Sequence, residues 1–374
     1  MQRTPELENL AVIRVLGVGG GGSNAVDRMI DAGLRGVDFV ALNTDAQALM
    51  RSAAPVRLRL GENTTRGLGS GGDPEIGRKS ADESVDQIYQ LVKGADMVFV
   101  TAGMGGGTGT GAAPIVAREA RKEGALTIGV VTKPFFFEGS RRASAALEGI
   151  EQLREEVDTL IVIPNDRLLE LTSRRMSLTE SFALADSFLC RGIQGISELI
   201  TVPGIINLDF ADVKTIMADG GPALMAVGEA EGDERARLAA ERAIGSEILD
   251  VTIDGAKGIL FNVTGGPDMT LHEVYEAAAI VRETAHPDAN LIFGAVIDDN
   301  LTSQMRVTVV ATGFESGGPL QHFIEPKRSE KPATDDKKQK PTGEPTRRTF
   351  KQGNWPRPNF AEDDLAIPAF LRRR

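Results

Sequence analysis

Several residue types on which common functional sites depend are scarce in this sequence of 374 residues. The only cysteine, Cys190, excludes an intrachain disulfide framework and most cysteine-based metal sites. Lysine and arginine number 42 against 53 aspartates and glutamates, which gives a formal net charge of −11. Because nucleic-acid binding depends on neutralising phosphates with cationic side chains, this balance argues against general affinity for nucleic acid.

Long hydrophobic runs are lacking as well. No run approaches the roughly 20 apolar residues of a membrane-spanning helix, and Met1–Val15 lacks the apolar core of a signal peptide. We therefore expect no membrane span and a cytoplasmic location. A G-x-x-x-x-G-K-[ST] motif is also missing, which excludes a P-loop NTPase. The length predicts two domains and a tail.

Glycine, in contrast, is concentrated in one stretch, Gly103–Gly111. It follows an apolar run, Met97–Val100, that predicts a buried strand, and it precedes a predicted helix, Ala112–Lys122, with Pro114 in its first turn. This placement aims backbone N–H groups and a helix N-terminus at an anion. A tight turn would explain glycines in general, but their position between strand and helix favours phosphate binding.

A second glycine-rich turn follows the first predicted strand, Ala11–Leu16. Gly17, Gly19 and Gly22 fit the G-x-G-x-x-G pattern of dinucleotide-binding folds, and Asp45 stands near the position of a ribose-binding acid. An NAD-dependent oxidoreductase is therefore one alternative. The three histidines lie in the second half of the chain, away from any hydride-transfer site in this region.

Predicted strands and helices alternate through the first half of the chain, which indicates a Rossmann-like, doubly wound parallel sheet of the α/β class. Ligands of such sheets bind beyond the carboxyl ends of the strands. Five residues follow predicted strand ends: Gly20, Asn43, Gly107, Glu138 and Asn165. A Gly-rich loop at 61–80 is too long for a plain connector, and a single helix is predicted at about 80–93.

A long central helix begins at the Ser177-x-x-Glu180 capping box and carries an apolar stripe typical of core packing. Near its start, Asp186 could accept together from the N1–H and 2-amino groups of guanine, and Phe182 offers the base an apolar surface. A smaller α+β domain is predicted to follow. In it, the spacing around Asp209 favours a helix N-cap over catalysis.

We predict five segments: a nucleotide-binding domain at 1–176, the central helix at 177–203, an α+β domain at 204–315 containing a loop at 205–213, a linker at 316–361 and a terminal peptide at 362–374. The linker is rich in Lys, Pro, Thr, Glu and Asp, which predicts disorder. Apolar residues return within Asp364–Arg372, so a partner-docking peptide is favoured over a frayed terminus.

Five motifs carry a resemblance to a known family. Gly105–Gly111 (GGGTGTG) resembles the nucleotide signature of the tubulin superfamily, and with it Val18–Val26, Pro134–Gly139, Asn207–Val213 and Ile367–Leu371 are similar to bacterial members of the FtsZ family, the division GTPases. The similarity runs from about residue 10 to 315 and resumes at the tail. Ser23 stands where many members have glycine.

The resemblance implies roles for individual residues. Phosphate, ribose and guanine contacts are implied for Gly20, Gly21, Gly22, Ser23, Asn24, Gly107, Thr108, Gly109, Glu138, Arg142, Asn165, Phe182 and Asp186. Asn207, Asp209 and Asp212 would enter the nucleotide site of the next subunit and position the attacking water. Mg²⁺ would sit on the phosphates of GTP, with no dedicated metal ligand from the protein.

The resemblance further implies a GTPase of the division (Z) ring in the bacterial cytoplasm at mid-cell, which polymerises head to tail when GTP is bound. Membrane-tethering adaptors and regulators would bind Asp364–Arg372. Besides the oxidoreductase, a nucleotide-regulated scaffold without turnover is a second alternative.

Overall fold

The computed structural model describes residues 11–170, 176–202, 204–206, 209–245, 255–299 and 301–314. Its first half is a parallel sheet in the order β3-β2-β1-β4-β5-β6. The strands are β1 (Ile13–Val18), β2 (Val37–Asn43), β3 (Val56–Arg59), β4 (Met97–Gly103), β5 (Leu126–Lys133) and β6 (Thr159–Pro164). The central strands are almost wholly buried because helices cover both faces, as expected for a doubly wound sheet.

Six α-helices connect these strands and a seventh follows β6: α1 (Gly19–Asp31), α2 (Ala46–Arg51), α3 (Pro74–Glu83), α4 (Val85–Val92), α5 (Thr108–Lys122), α6 (Ser140–Glu156) and α7 (Asn165–Glu170). The predicted single helix at 80–93 is wrong, since the chain forms α3 and α4 with a break at Ser84. Asp73 caps α3 through the N–H of Glu75, and Pro74 occupies the first helical position, so α3 begins inside the predicted loop.

Both glycine-rich turns are partly helical, which the sequence did not predict. Helix α1 begins at Gly19, within the glycine run, and α5 begins at Thr108, before the expected start at Ala112. Pro114 therefore lies within α5 and not in its first turn, where it removes the N–H that would bond the carbonyl of Thr110. Tertiary packing overrides the low helix propensity of glycine here, because the first turns of both helices pack closely against the backbone of β1 and β4.

The central helix α8 (Leu178–Thr201) leads into the second half of the structure. Its predicted capping box is confirmed: Ser177 Oγ accepts from the N–H of Glu180 at 3.2 Å, and Glu180 Oε2 accepts from the N–H of Ser177 at 2.7 Å. The stripe that includes Leu189, Ile193 and Ile196 is buried, as expected for core packing. Cys190 is buried too, and desolvation raises the pKa of its thiol.

The second half contains α9 (Phe210–Met217), β7 (Gly221–Glu231), α10 (Arg235–Ile244), β8 (Gly258–Gly265), α11 (Leu271–Thr284), β9 (Asn290–Ile297) and β10 (Gln304–Thr312). Its strands extend the first sheet in the order β6-β7-β10-β8-β9, giving ten strands in one hydrogen-bonded sheet. The short parallel pairing of β6 with β7 joins the halves, whereas β10 runs antiparallel to both of its neighbours. The predicted mixed α+β half is confirmed.

Different parts of the chain lie at the two ends of the parallel strands, which we call the amino edge (where the strands begin) and the carboxyl edge (where they end). The 24 residues of α8 span about 36 Å, and Thr201 at its end lies against Gly36, which precedes β2. The hydroxyl of Thr159, the first residue of β6, donates to the carbonyl of Met217 at the end of α9. Helix α9 therefore lies at the amino edge of the parallel strands. Each helix in the described segments is too short or too polar to cross a bilayer.

Candidate functional site

A cleft of about 590 Å³ lies at the opposite, carboxyl edge of the sheet. Loops that follow β1, β4, β5 and β6 line it, together with the first turns of α8, as the topology of a parallel sheet dictates. The structure brings eleven of the thirteen predicted nucleotide-binding residues to this cleft: Gly20, Gly21, Asn24, Gly107, Thr108, Gly109, Glu138, Arg142, Asn165, Phe182 and Asp186.

The remaining two predicted residues, Gly22 and Ser23, are buried behind the cleft and do not line it. A Cβ atom on Gly22 would lie 2.3 Å from the carbonyl oxygen of Thr101. Gly22 therefore allows α1 to pack closely against β4, which is the physical reason for glycine at this position. Ser23 is 3% exposed, and its side chain faces the protein interior.

The N-termini of α1 and α5 meet at the floor of the cleft. Neither helix has a side-chain cap, since Val18 and Gly107 occupy the N-cap positions. The two turns also touch, because a Cβ atom on Gly19 would lie 2.7 Å from the backbone nitrogen of Gly109. Two helix ends with uncapped N–H groups thus point at one space, an arrangement that favours a di- or triphosphate.

The glycines of the two turns serve two different purposes. Gly20 and Gly106 face open space, so there the main chain is accessible to a ligand. A Cβ atom on Gly107 would lie 2.2 Å from Ser70 Oγ, and one on Gly111 would lie 2.0 Å from the carbonyl oxygen of Pro74. Glycine at positions 107 and 111 therefore reflects close packing of α5 against α3 and the loop before it.

The segment 61–73 belongs to the site, although sequence reasoning assigned no residue in it. Ser70 and Gly72 line the cleft. The hydroxyl of Thr108 lies 2.6 Å from that of Thr44 and 3.1 Å from that of Ser70, so the phosphate turn is tied to this loop. The unusual length and glycine content of the loop were the signal that could have placed it here.

Glu83 holds the other end of this loop. Its carboxylate accepts from the N–H and side chain of both Asn63 and Thr64 at 2.7–3.0 Å. The backbone N–H of Asn63 and the hydroxyl of Thr64 are the main causes that lower the pKa of Glu83 to about 2. The carboxylate of Glu83 is solvent-exposed, yet it closes the 61–73 loop onto α3.

We expect Glu83→Ala to lower the protection of the Asn63 and Thr64 amides against hydrogen exchange about tenfold, because both lose their acceptor. In the wild type, protection should be complete above the ordinary glutamate pKa of about 4.5 and should fall as the pH drops from there towards 2. The matched control is Glu62→Ala, since Glu62 contacts Arg59 and is 72% exposed. Unchanged protection in Glu83→Ala would contradict this role.

The base-binding end of the cleft is defined by Asn165, Phe182 and Asp186. Asn165 is 4% exposed, and its Oδ1 has no hydrogen-bond partner among the described residues. The ring of Phe182 packs edge-on against Phe135, with 5.3 Å between the centroids, and is 40% exposed. A buried acceptor without a partner, beside an accessible ring and a carboxylate, is an arrangement that a base with N–H donors can satisfy.

Asp186 is the carboxylate of this group. Its Oδ2 accepts from Nε of Arg28, on α1, at 3.0 Å. Burial raises the pKa of the Asp186 carboxyl, and the hydrogen bond and positive charge of Arg28 oppose that rise. The other oxygen of the carboxylate, Oδ1, is left to accept from a ligand.

Glu138 and Arg142 form an ion pair at the mouth of the cleft. Oε1 of Glu138 also accepts from the N–H of Phe135 at 2.9 Å, which fixes the 3-10 turn Phe136–Glu138. Asp45 lines the cleft nearby, where its Oδ1 caps α2 through the N–H of Gln47 at 2.8 Å. Polar side chains thus surround the space between the phosphate floor and the base end.

Asp209 and Asp212, the acids of the predicted loop at 205–213 (the acidic loop), do not lie at this cleft of their own chain. Asp209 caps α9, with its Oδ1 accepting from the N–H of Asp212 at 2.8 Å, as the spacing predicts. Neither side chain lines the cleft, and Asn207 lies outside the described residues. Since α9 stands at the amino edge of the sheet, these acids cannot reach a nucleotide bound at the carboxyl edge of their own chain.

The residues around the cleft are compatible with Mg²⁺ only if the ion is coordinated mainly by the phosphates of a bound nucleotide. Within the described segments no group of three Asp, Glu, His or Cys side chains could hold a metal ion. In the cleft, Glu138 is paired with Arg142 and Asp186 with Arg28. A magnesium ion would therefore be coordinated by phosphate oxygens and water, which is how this ion commonly binds with nucleotides.

The sheet order, the two uncapped helix ends and the base pocket define a nucleotide-binding α/β protein. Comparison with protein families extends this result: residues 12–173 match the Tubulin/FtsZ family, GTPase domain, and residues 221–315 match the FtsZ family, C-terminal domain. The chain belongs to the tubulin/FtsZ family of GTPases. This assignment favours GTP over the NAD of the alternative interpretation.

Similar solved structures support the same family assignment. The chain is 46% identical to a point mutant of FtsZ from M. jannaschii, covering 82% of this chain and 92% of that one with a TM-score of 0.80. An empty FtsZ dimer from the same organism is 45% identical, with 83% and 93% coverage and a TM-score of 0.79. CetZ1 from Haloferax volcanii, a GDP-bound monomer, shares the fold at 19% identity, with 84% and 97% coverage and a TM-score of 0.72.

Proposed function

We propose that this GTPase polymerises head to tail and hydrolyses GTP at the junctions between subunits. The observation that carries this proposal is the placement of the cleft and the acidic loop at opposite edges of one sheet, separated by the length of α8. Stacking identical subunits along this axis brings Asp209 and Asp212 of one subunit to the cleft of the next. Such a contact uses two different surfaces, so it builds an open filament.

The exposed apolar side chains support the same axis. Phe136 is 90% exposed in the turn beside the cleft, and Leu68 is 86% exposed in the loop that borders it. At the other end, Ile205 is 66% exposed at the start of the acidic loop, where its N–H donates to the carbonyl of Ala295. Large apolar side chains left in solvent at both ends are typical of surfaces that a partner covers. The dimer of the FtsZ relative and a GTPγS-bound protofilament of CetZ2 show that such proteins self-associate.

In the assembled junction, each part of the cleft would act on a different part of GTP. The N-termini of α1 and α5 would bind the phosphates, while Asn165, Phe182 and Asp186 would bind guanine. Mg²⁺ would offset phosphate charge, and Asn207, Asp209 and Asp212 of the next subunit would orient the attacking water. Asp209 can cap α9 with one oxygen and contact water with the other.

The cellular role proposed is that of the cytokinetic Z ring at mid-cell in the bacterial cytoplasm, where septation takes place. Membrane-tethering adaptors and division regulators would bind the peptide Asp364–Arg372, which lies outside the described residues, as does the predicted linker at 316–361. The support for these points is the resemblance of the tail and the loop to those of division GTPases, together with the family assignment.

Sedimentation of the full chain with GTP, GDP and NAD tests the proposed function, alongside GTPase rates over a range of protein concentration. Pelleting should require GTP, and the rate per molecule should rise with concentration because each active site needs two subunits. A rate per molecule that is independent of concentration would contradict hydrolysis at junctions. Pelleting without any turnover would support the nucleotide-regulated scaffold.

A further inference from the structure

Arg28 stands beside the base end of the cleft without lining it. It lies in the last turn of α1, and its Nε donates to Oδ2 of Asp186 on α8 at 3.0 Å. The Arg28 side chain is 44% exposed, whereas that of Asp186 is 15% exposed. The arginine therefore reaches from the surface to a carboxylate that faces the cleft.

The ion pair is not needed to hold the two helices together. Helix α1 buries Ala25 and Met29, and α8 buries Ala185 and Leu189, all in the same hydrophobic cluster. Partly exposed ion pairs add little to stability in general. Because Arg28 contacts a carboxylate that lines the cleft, we look for its role in ligand binding and not in stability.

If Asp186 is to accept hydrogen bonds from a base, its carboxylate must be both oriented and ionised, and each requirement calls for a partner side chain. The torsion that sets the plane of a carboxylate is broad and not fixed by rotamer preference, so a hydrogen bond must orient it. Burial also favours the neutral acid, which would donate a proton where guanine requires an acceptor. Arg28 supplies both the hydrogen bond and the compensating charge.

We propose that Arg28 is a positioning residue for guanine recognition, which holds Asp186 as an oriented carboxylate that accepts from the N1–H and 2-amino groups of the base. This inference rests on the proposed function, because it requires that the cleft bind a guanine nucleotide. Among the described residues, three other charged side chains line the cleft with Asp186. They are Asp45, which caps α2, and Glu138 and Arg142, which pair with each other. Arg28 is the cation in direct contact with Asp186 in the described structure.

The test is calorimetric binding of GDP and of inosine diphosphate, which lacks the 2-amino group, to the full nucleotide-free chain from pH 4.5, just above the ordinary aspartate pKa, to pH 8.5. Diphosphates keep binding separate from turnover. Four variants are compared with the wild type: Arg28→Ala, Arg28→Gln, Arg28→Lys and Arg191→Ala. Arg191 is the matched control, because it is a partly exposed arginine like Arg28 but lies on α8, where it pairs with Glu229 away from the cleft.

The wild type should prefer GDP about tenfold or more, as expected for a hydrogen bond to a charged acceptor. Arg28→Ala should lose most of this preference, and its GDP affinity should rise with pH because Asp186 must ionise without a compensating charge. Arg28→Gln should show the same pH dependence, whereas Arg28→Lys and Arg191→Ala should resemble the wild type.

Two results would overturn this inference alone: a wild-type preference for GDP retained in Arg28→Ala with no pH dependence, or an equal, pH-independent loss of both nucleotides in that variant. A wild type that binds GDP and inosine diphosphate equally would instead contradict the base-reading part of the proposed function, and this inference would fall with it. The two failures are therefore distinguishable.

Discussion

The variant Asp212→Ala should bind GTP as tightly as the wild type, yet its GTPase rate should fall by about 100-fold, as expected when a group that positions or activates the attacking water is removed. Binding is retained because the cleft lies at the far edge of the sheet and Asp212 does not line it. Nucleotide affinity by calorimetry and phosphate release at a concentration that supports assembly are the two measurements.

Controls separate this effect from helix stability. Asp38→Ala removes an exposed carboxylate near the same amino edge, at the start of β2, and should leave hydrolysis unchanged. Asp209→Asn keeps a good N-cap for α9 while removing the charge, so its unfolding free energy should stay near that of the wild type while its GTPase rate falls. Full GTPase activity in Asp209→Asn would leave capping of α9 as the only role of Asp209. Full GTPase activity in Asp212→Ala would refute the proposed role of the acidic loop in hydrolysis.

The second large effect is structural: Gly111→Ala should reduce the free energy of unfolding by about 3 kcal/mol, because the new Cβ clashes with a packed backbone. This Cβ would lie 2.0 Å from the carbonyl oxygen of Pro74 and 2.6 Å from the nitrogen of Arg78. Both contacts are backbone atoms of α3, so neither can move without displacing the helix. Alanine's higher helix propensity would offset only about 1 kcal/mol.

Displacement of α3 should also weaken nucleotide binding, since the 61–73 loop that α3 anchors brings Ser70 and Gly72 to the cleft. Denaturant unfolding and GTP affinity are the measurements. The matched control is Gly106→Ala: a Cβ atom there meets no atom within 4 Å, so the unfolding free energy should stay within about 0.5 kcal/mol of the wild type. Equal stability of the two variants would contradict the packing role of Gly111.

Much of the fold could be predicted because local patterns agree with it. Apolar runs predicted β1 and β4, and the S-x-x-E motif predicted the start of α8. Strand ends in a parallel sheet converge on one edge, so strand positions alone placed Gly20, Gly107, Glu138 and Asn165 at the cleft. Asn43 also follows from a strand end, but it is buried and does not line the cleft. The chemistry of guanine pointed to Phe182 and Asp186, and the family resemblance added the other phosphate and ribose contacts and the catalytic role of Asn207, Asp209 and Asp212.

Long-range contacts account for what could not be predicted. Helix starts within glycine runs depend on the packing of Gly22 against Thr101, more than 70 residues away. The pairing of β6 with β7, which joins the two halves into one sheet, leaves no local signal. Arg28 and Asp186 are 158 residues apart, so their contact is visible only in three dimensions.

A mixing experiment tests the central claim that a cleft is completed by its neighbour's acids. Asp212→Ala keeps its cleft but lacks an acid, while Asp186→Ala keeps its acids but lacks the base-reading carboxylate, so each should hydrolyse GTP poorly alone. In an equal mixture about a quarter of the junctions combine an intact cleft with intact acids, and the GTPase rate should recover to about that fraction of the wild-type rate. A mixture no more active than the sum of the separate variants would contradict hydrolysis in trans.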